Sequence, residues 1–397
     1  MRIVASVFIL LSSVSISPGP CAESRRIHMK KYFLVMLTWL FVYPSFSQEL
    51  RLPEVTGPFP VGTVTQHWID MSRENKFTRT DPNDFRELMV QIWYPASIDV
   101  GDQVQRGIAD MDILGPALRT YIPVDLENVM SHLFLNAYPN ARISSELPRF
   151  PVLIYSHGPG GYKNMQEYLM EEMASHGYVV LAIDHTYDAA AVRFPDGRVI
   201  RGGQNIGNVR SDDIKFVLDQ IERINTGDSE EILQARLFPS RMGMIGVSND
   251  PRLNAGLSIG MNLSELSGQK LSLPYMEMSE FTSPRMPRDT LLDRGGYFLS
   301  IQDASHQDFN EGALYWTVGD LPGRYPHSTS DDPIRVTRVE ADYTIAFFDK
   351  HLKGKTVPLL NQECDYRTDP HLDYPEVLFR IIGSPQRSGI REFQAYE

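Results

Sequence analysis

A serine stands on a turn between two strand-like runs that lie too close together in the sequence for a helix to fit between them. The first run is Met242 to Gly246, the second is Asn254 to Ile259, and Ser248 follows the first. A strand followed by Gly-x-Ser commonly presents a reactive hydroxyl at the edge of a parallel sheet, with a helix directly after it. Only Asn249 to Leu253 separate the serine from the second run, whereas a helical crossover needs a dozen or more residues. The sequence therefore predicts a strand and turn without their helix.

The missing helix has two predicted consequences. Its first N–H and its positive end would have stabilised a developing negative charge beside Ser248. It would also have covered one face of the central sheet. Without it, apolar surface worth roughly 25 cal/mol per Å² is expected to be uncovered.

The remaining runs alternate between strand and helix. After an antiparallel start, this order predicts an α/β fold with a mostly parallel central sheet and helices on both faces. The predicted strands are Thr65–Ile69, Leu88–Tyr94, Pro151–Ser156, Tyr178–Asp184, Met242–Gly246, Asn254–Ile259, Leu273–Met278 and Gly296–Ile301. The predicted helices are Asn164–Ser175, a helix capped by Ser211 that continues to Ile224, and Arg335–Leu352. We expect a single domain over residues 48–397, with a cap-like insertion around 101–147.

The amino terminus resembles an export signal. Met29-Lys30-Lys31 supplies a positive start, Tyr32–Tyr43 an apolar run, and Ser45-Phe46-Ser47 a cleavage site ahead of Gln48. We therefore predict that residues 1–47 are a leader, that translation starts at Met29, and that the mature chain is exported to the periplasm or beyond. A retained amino-terminal membrane anchor is the alternative.

Charge and cysteine content exclude several classes of function. The formal net charge of −12 argues against nucleic-acid binding, which draws on clustered Lys and Arg. Cys21 lies in the predicted leader, so Cys364 stands alone and no intrachain disulfide forms in the mature chain. We expect no metal, no cofactor and no stable membrane span in the mature chain.

Two loops carry the other candidate site residues. His157, Gly158, Pro159 and Gly160 directly follow a buried strand, where backbone N–H groups often bind a substrate oxyanion, although a plain strand-to-helix turn would look alike. His306 lies in a polar loop after the last predicted strand and is the best candidate for a catalytic base. His185 and His157, at strand ends, are more typical of structural roles. A metal site built from them is disfavoured because no ligand spacing occurs on one element.

Together these segments resemble the bacterial secreted branch of the platelet-activating factor acetylhydrolase family. The likeness runs from about Pro53 to Phe379. It includes the entry Thr56–Gly62, the oxyanion segment Tyr155–Gly158, and the helix end Phe347–Leu352. The resemblance implies an α/β-hydrolase fold and a serine carboxylic-ester hydrolase. It also implies a short acyl ester or phospholipid-like substrate, with Ser248 as nucleophile and His306 as base.

The departures from that family predict strongly impaired catalysis. Val247 and Asp250 replace a histidine and a glycine of the family turn, and Gly260 stands where the family places its triad aspartate. Pro159 offers no N–H where an oxyanion donor is expected. Losing a triad member costs several orders of magnitude in rate. Three interpretations stay open: an impaired esterase, an inactive homologue that binds a lipid or a partner, and a defective gene product.

Overall fold

The structure, a computed structural model, describes residues 49–78, 84–119, 126–204, 206–226, 233–260, 270–280 and 292–383. The predicted leader at residues 1–47, with its start at Met29, lies outside these residues. In the described part of the chain, no helix is both long and apolar enough to cross a membrane. The same residues contain no group of three or more His, Cys, Asp or Glu side chains that could hold a metal ion.

One large mixed sheet forms the centre of the fold. Its strands are β1 Val61–Glu74, β2 Phe85–Ser97, β3 Ala137–Pro139, β4 Arg142–Ile143, β5 Phe150–Ser156, β6 Val179–Asp184, β9 Leu237–Ile245, β10 Ala255–Ile259, β11 Tyr275–Met278, β12 Gly296–Ile301, β13 Cys364–Asp365 and β14 Val377–Ile382. They lie in the order β13-β14-β12-β11-β10-β9-β5-β6-β2-β1-β3, with β4 on β2. A separate hairpin joins β7 Ala191–Arg193 to β8 Val199–Arg201.

The middle of this sheet is parallel, as predicted. Strand β5 pairs in parallel with both β6 and β9, and β10 pairs in parallel with β9 and β11. Every residue of β6 and most of β5 are buried, which fits near-continuous apolar strands that carry helices on both faces. The predicted antiparallel start is the β1–β2 pair, in which Thr65 faces Gln91.

Six α-helices are described: α1 Met111–Leu118, α2 Leu126–His132, α3 Glu167–Ser175, α4 Val209–Thr226, α5 Gly312–Val318 and α6 Pro333–Lys353. Helix α4 places Ile214, Val217, Leu218 and Ile221 against one face of the sheet. Ser211 was expected to cap α4 but lies inside it, because the helix begins two residues earlier at Val209. Helix α6 packs on the other face. It begins with Pro333 after the cap Asp332.

The region around 101–147, whose cap-like role stays a prediction, combines helices with short strands. It contains α1 and α2, and these pack with α5 in a small apolar cluster apart from the two sheet faces. Its later part returns to the sheet, because β3 pairs with β1 and β4 pairs with β2. The assignment of residues 48–397 to one domain stays a prediction.

The connection between β9 and β10 contains no helix, as the sequence predicts. Residues 246–254 nevertheless join two strands that pair in parallel, with Ala255 beside Gly243. The expectation of uncovered apolar surface is wrong for the described residues of this region. Tyr275, Phe298 and Leu271 form a cluster on that part of the sheet and are at most 3% exposed, and Val247 of the connection packs against it. These side chains are thus buried although no helix follows Ser248.

Candidate active site

A cavity of about 290 Å³ opens at the carboxyl ends of the central strands. This is where ligands commonly bind in open α/β sheets. Its walls come from the loop after β5, the start of α3, the ends of β9 and β10, the loop after β12, and the end of α1. The lining residues are Leu118, Tyr155–Tyr162, Met165, Gln166, Ile245, Gly246, Ser258–Gly260, His306, Phe309 and Asn310.

All four residues predicted to bind substrate line this cavity. His157, Gly158, Pro159 and Gly160 form a turn closed by Gly161, whose N–H donates to the Gly158 carbonyl at 3.0 Å. A Cβ added at Gly158 or Gly160 would meet no atom within 4 Å, so both glycines leave the backbone open to a ligand. Gly160 also has φ +71°, which favours glycine. Their role in binding stays a prediction.

His157 is fully buried and satisfied on both ring nitrogens. Its Nδ1 donates to the Gly158 carbonyl at 2.7 Å, and its Nε2 accepts from the His185 N–H at 3.4 Å. Burial, aided by the nearby His185, holds the pKa of His157 well below its usual value. The ring is therefore neutral at physiological pH.

His306 lies at the cavity, but its partner is not a carboxylate. Its Nδ1 donates to the carbonyl oxygen of Gly260 at 2.7 Å. Gly260 has φ +67°, and a Cβ there would come within 3.0 Å of His306 Nδ1. The carbonyl thus occupies the place of the orienting acid. It fixes the tautomer that leaves Nε2 basic, but it brings no negative charge to stabilise a protonated ring.

Ser248 lies outside the set of residues that line the cavity. It is half-buried, and its Oγ accepts the backbone N–H of Asp250 at 3.3 Å. Among the described residues, no hydrogen bond joins Ser248 to His306. Nor is Ser248 one of the described non-glycine residues with positive φ, whereas a nucleophile turn is usually strained. The structure thus brings His306, but not Ser248, to the cavity, and the catalytic assignment of both stays a prediction.

A different serine does line the cavity, and sequence reasoning missed it. Ser156, the last residue of β5, has its Oγ 2.8 Å from His185 Nε2. His185 Nδ1 lies 2.9 Å from Asp213 Oδ2, near the start of α4. A carboxylate only accepts, so Nδ1 donates to Asp213, and Nε2 of the neutral ring accepts from the Ser156 hydroxyl. The available signal was that Ser156 ends β5 and His185 directly follows β6, its parallel neighbour. Nothing in the sequence pointed to Asp213.

Two arginines stabilise the ionised form of Asp213. Arg86, itself 3% exposed, reaches the carboxylate with Nε at 3.0 Å and Nη2 at 2.6 Å, and Arg73 Nη1 adds a contact at 3.0 Å. Burial alone would raise the pKa of Asp213, but hydrogen bonds from His185 and Arg86 hold it well below its usual range. Asp213 is therefore ionised throughout the physiological range.

Comparison with known proteins tests the predicted family. The family model for platelet-activating factor acetylhydrolase, isoform II, matches residues 44–196. A protein of Arthroderma benhamiae named probable 1-alkyl-2-acetylglycerophosphocholine esterase is 26% identical over 84% of this chain and 95% of its own length. The platelet-activating factor acetylhydrolase of Cavia porcellus is 24% identical, over 43% of this chain and 38% of its own length. The resemblance to the platelet-activating factor acetylhydrolase family is confirmed.

A solved structure supports the fold. The ferulic acid esterase from Streptomyces cinnamoneus superposes with a TM-score of 0.65 at 25% identity, covering 83% of this chain and 99% of that one. The chain thus has the α/β-hydrolase fold, and its relatives of the platelet-activating factor acetylhydrolase family and this neighbour are named as esterases or acetylhydrolases. The family match includes Ser156 and His185 but ends before Ser248 and His306.

Proposed function

We propose that this chain is an exported protein of the carboxylic-ester hydrolase type whose cavity takes a short acyl ester or a phospholipid-like ester. We further propose that hydrolysis is strongly impaired, because Ser248 and His306 do not form a complete triad. The observation that carries this proposal is the cavity itself, because its walls combine the glycine loop after β5 with His306.

The relatives support the substrate class. The protein of Arthroderma benhamiae, which aligns with most of this chain, is named for an acetylated glycerophosphocholine ester, and the structural neighbour for a ferulic acid ester. Both of these named substrates are esters of carboxylic acids. A cavity of about 290 Å³ suits the acyl part of such a molecule, with the alcohol part left outside.

Two features support impairment. The serine hydroxyl of a triad depends on an adjacent base for activation, yet Ser248 Oγ is held by the Asp250 N–H. The base depends on a carboxylate to stabilise its protonated form, yet His306 Nδ1 is held by the neutral carbonyl of Gly260. Both deficits act on the same transition state, so they affect the rate of acylation rather than the binding of the ester.

The test separates binding from turnover. Purified residues 48–397 are assayed with p-nitrophenyl acetate beside an esterase that has a complete triad, and binding of the amide analogue 4-nitroacetanilide is measured by calorimetry. We expect binding together with a rate about 10⁴-fold below the comparison enzyme. Gly158→Phe, which fills the open space at Gly158, should abolish binding, whereas Val100→Phe on an exposed loop should not. A full-triad rate would refute the impairment, and absent binding would refute the ester cavity.

The second candidate is an inactive homologue that binds a lipid or a partner. It is favoured by the fact that the cavity persists although Ser248 does not line it. This candidate would be supported if the chain neither hydrolysed p-nitrophenyl acetate nor reacted with a fluorophosphonate. It should then still bind 4-nitroacetanilide and unfold in a cooperative thermal transition. A chain without a cooperative transition would instead support the defective gene product.

A further inference from the structure

Ser156, His185 and Asp213 form a continuous hydrogen-bonded relay that ends in the cavity. The two distances along it are 2.8 Å and 2.9 Å, both ordinary for strong hydrogen bonds. His185 and Asp213 are fully buried, while Ser156 is half-buried and faces the cavity. Chain order and spacing resemble no common motif, but a serine triad is recognised by geometry and roles rather than by sequence position.

We propose that Ser156 is the nucleophile of this chain, with His185 as its base and Asp213 as the residue that positions His185. This inference rests on the ester-binding cavity proposed above and names the residues that react within it. It assigns no catalytic role to Ser248, which lies outside the cavity lining.

The reaction balances without a cofactor. The Ser156 hydroxyl transfers its proton to His185 Nε2 as Oγ bonds to the ester carbonyl carbon, and the carbonyl electrons move to oxygen. When the tetrahedral species collapses, the bond to the alcohol oxygen breaks and that oxygen takes the proton from Nε2. Water then attacks the acyl-Ser156 ester and gives a proton to Nε2, and the same proton returns to Ser156 Oγ as the carboxylic acid leaves.

The groups around Ser156 and His185 favour this reaction in one respect and slow it in another. The Ser156 side chain adjoins the glycine loop, where a Cβ added at Gly158 or Gly160 would meet no atom within 4 Å. Space of this kind lets a substrate approach the backbone of the loop. The positive charges of Arg86 and Arg73 already balance the negative charge of Asp213. Asp213 therefore stabilises a protonated His185 less than a free carboxylate would. The relay should therefore be slower than an ordinary triad.

Mapping of a covalent label decides between the two serines. The mature chain is treated with a fluorophosphonate and digested with trypsin. The peptide Phe150–Lys163 contains Ser156 as its one serine, and the peptide Met242–Arg252 contains Ser248 as its one serine. Fragmentation then separates Ser156 from the tyrosines of its peptide. This measurement needs no variant, so it does not depend on how a substitution folds.

We expect the label on Ser156, and we expect Ser156→Ala to lower both labelling and p-nitrophenyl acetate hydrolysis by about 100-fold with an unchanged melting temperature. Ser240→Ala, on an exposed part of β9, is the matched control and should change neither. Label on Ser248 would overturn the inference. So would a folded chain that takes no label, and binding of 4-nitroacetanilide then shows whether the ester cavity itself survives.

A separate experiment tests whether Asp213 positions His185. Asp213→Asn keeps the shape of the side chain but lets the His185 ring adopt the wrong tautomer. We expect the rate to fall and its pH dependence to change in this variant while analogue binding is kept. A pH profile identical to that of the parent would overturn the positioning role.

Discussion

At the scale of single residues, Gly260 decides what His306 can do. Its positive φ and the 3.0 Å approach that a Cβ would make to His306 Nδ1 both favour glycine at this position. The sequence led us to expect no acid here, because Gly260 stands where the family places its aspartate. It could not show that the Gly260 carbonyl takes over the hydrogen bond, because that depends on the path of the backbone.

Gly260→Ala should cost more stability than Gly197→Ala. Both positions have positive φ, but a Cβ at Gly197 meets nothing within 4 Å. We expect about 1 kcal/mol at Gly197 from backbone strain. At Gly260 we expect about 1 kcal/mol in addition, because the His306 ring must shift and its bond to the carbonyl weakens. Urea unfolding of both variants measures the difference, and equal costs would show that the ring moves freely.

Arg86 is the second residue whose removal has a clear expected effect. Arg86→Met would leave the buried Asp213 carboxylate with Arg73 and His185 alone, and loss of one partner from a buried ion pair costs about 3 kcal/mol or more. Arg86→Lys keeps the charge but loses the two-pronged contact, so it should fall between Arg86→Met and the parent. Chemical denaturation at pH 7 checks this order, and a Met variant as stable as the parent would contradict it.

The contribution of the ionised Asp213 to the free energy of unfolding should decrease at low pH. The folded-state pKa of Asp213 is depressed, so the stability it contributes is complete above the unfolded value of 3.8 and is lost as the pH falls below it. The difference between parent and Arg86→Met should therefore be constant from pH 6 to 7 and should shrink toward pH 3. A difference that grows on acidification would contradict the argument.

At the scale of elements, the sequence predicted the central strands and long helices because their apolar residues recur regularly. It missed β14, α5 and the β7–β8 hairpin. Strand β14 lies far along the chain from its partner β12, so its pairing depends on tertiary contacts that a local pattern does not carry. The relay was missed for the same reason, since Asp213 reaches His185 from a helix that no motif links to β6.

The shortened connection between β9 and β10 is held in place by polar contacts. Arg252 binds Asp250 through Nε at 2.9 Å and Nη2 at 3.0 Å, and its Nη1 reaches Asp219 on α4 at 2.5 Å. The hydrogen bonds from Arg252 hold the pKa of Asp250 below its usual range. These contacts tie the loop to the helix that covers the neighbouring strand.

Arg252→Ala should loosen this connection. The ion pairs are partly exposed, so we expect a loss of about 1 kcal/mol in the free energy of unfolding. We also expect faster amide hydrogen exchange over residues 246–254. Arg252→Lys retains the charge without the fork and should give an intermediate exchange rate. Unchanged exchange in Arg252→Ala would show that Val247 and its apolar neighbours alone fix the loop.

At the scale of the whole molecule, four of the buried glutamates on or beside α3, α5 and α6 have a raised pKa. Burial raises the pKa of Glu311 to about 8 and that of Glu167 to about 7. Burial likewise holds the pKa of Glu171 and of Glu340 well above the usual value. Glu311 is anchored, because it accepts the N–H groups of Tyr168 and Leu169. Within the described residues, Glu340 Oε1 has no hydrogen-bond partner.

These raised values predict that the protein is most stable in mildly acidic solution. Between the unfolded value of 4.5 and the folded value, the native state holds more protons than the unfolded chain, so stability falls as the pH rises. Glu311 alone contributes a loss of roughly 4 kcal/mol by pH 8. Calorimetry should therefore show a melting temperature that declines steadily from pH 5 to pH 8.

Glu340→Gln tests the cause of that decline. The amide has nearly the same shape and no charge to bury, so the variant should melt higher than the parent at pH 8 and close to it at pH 5. Glu146→Gln, at an exposed position, removes the same formal charge and should leave the slope unchanged. Parallel pH curves for Glu340→Gln and the parent would mean that Glu340 ionises without penalty. The decline would then have to come from other groups.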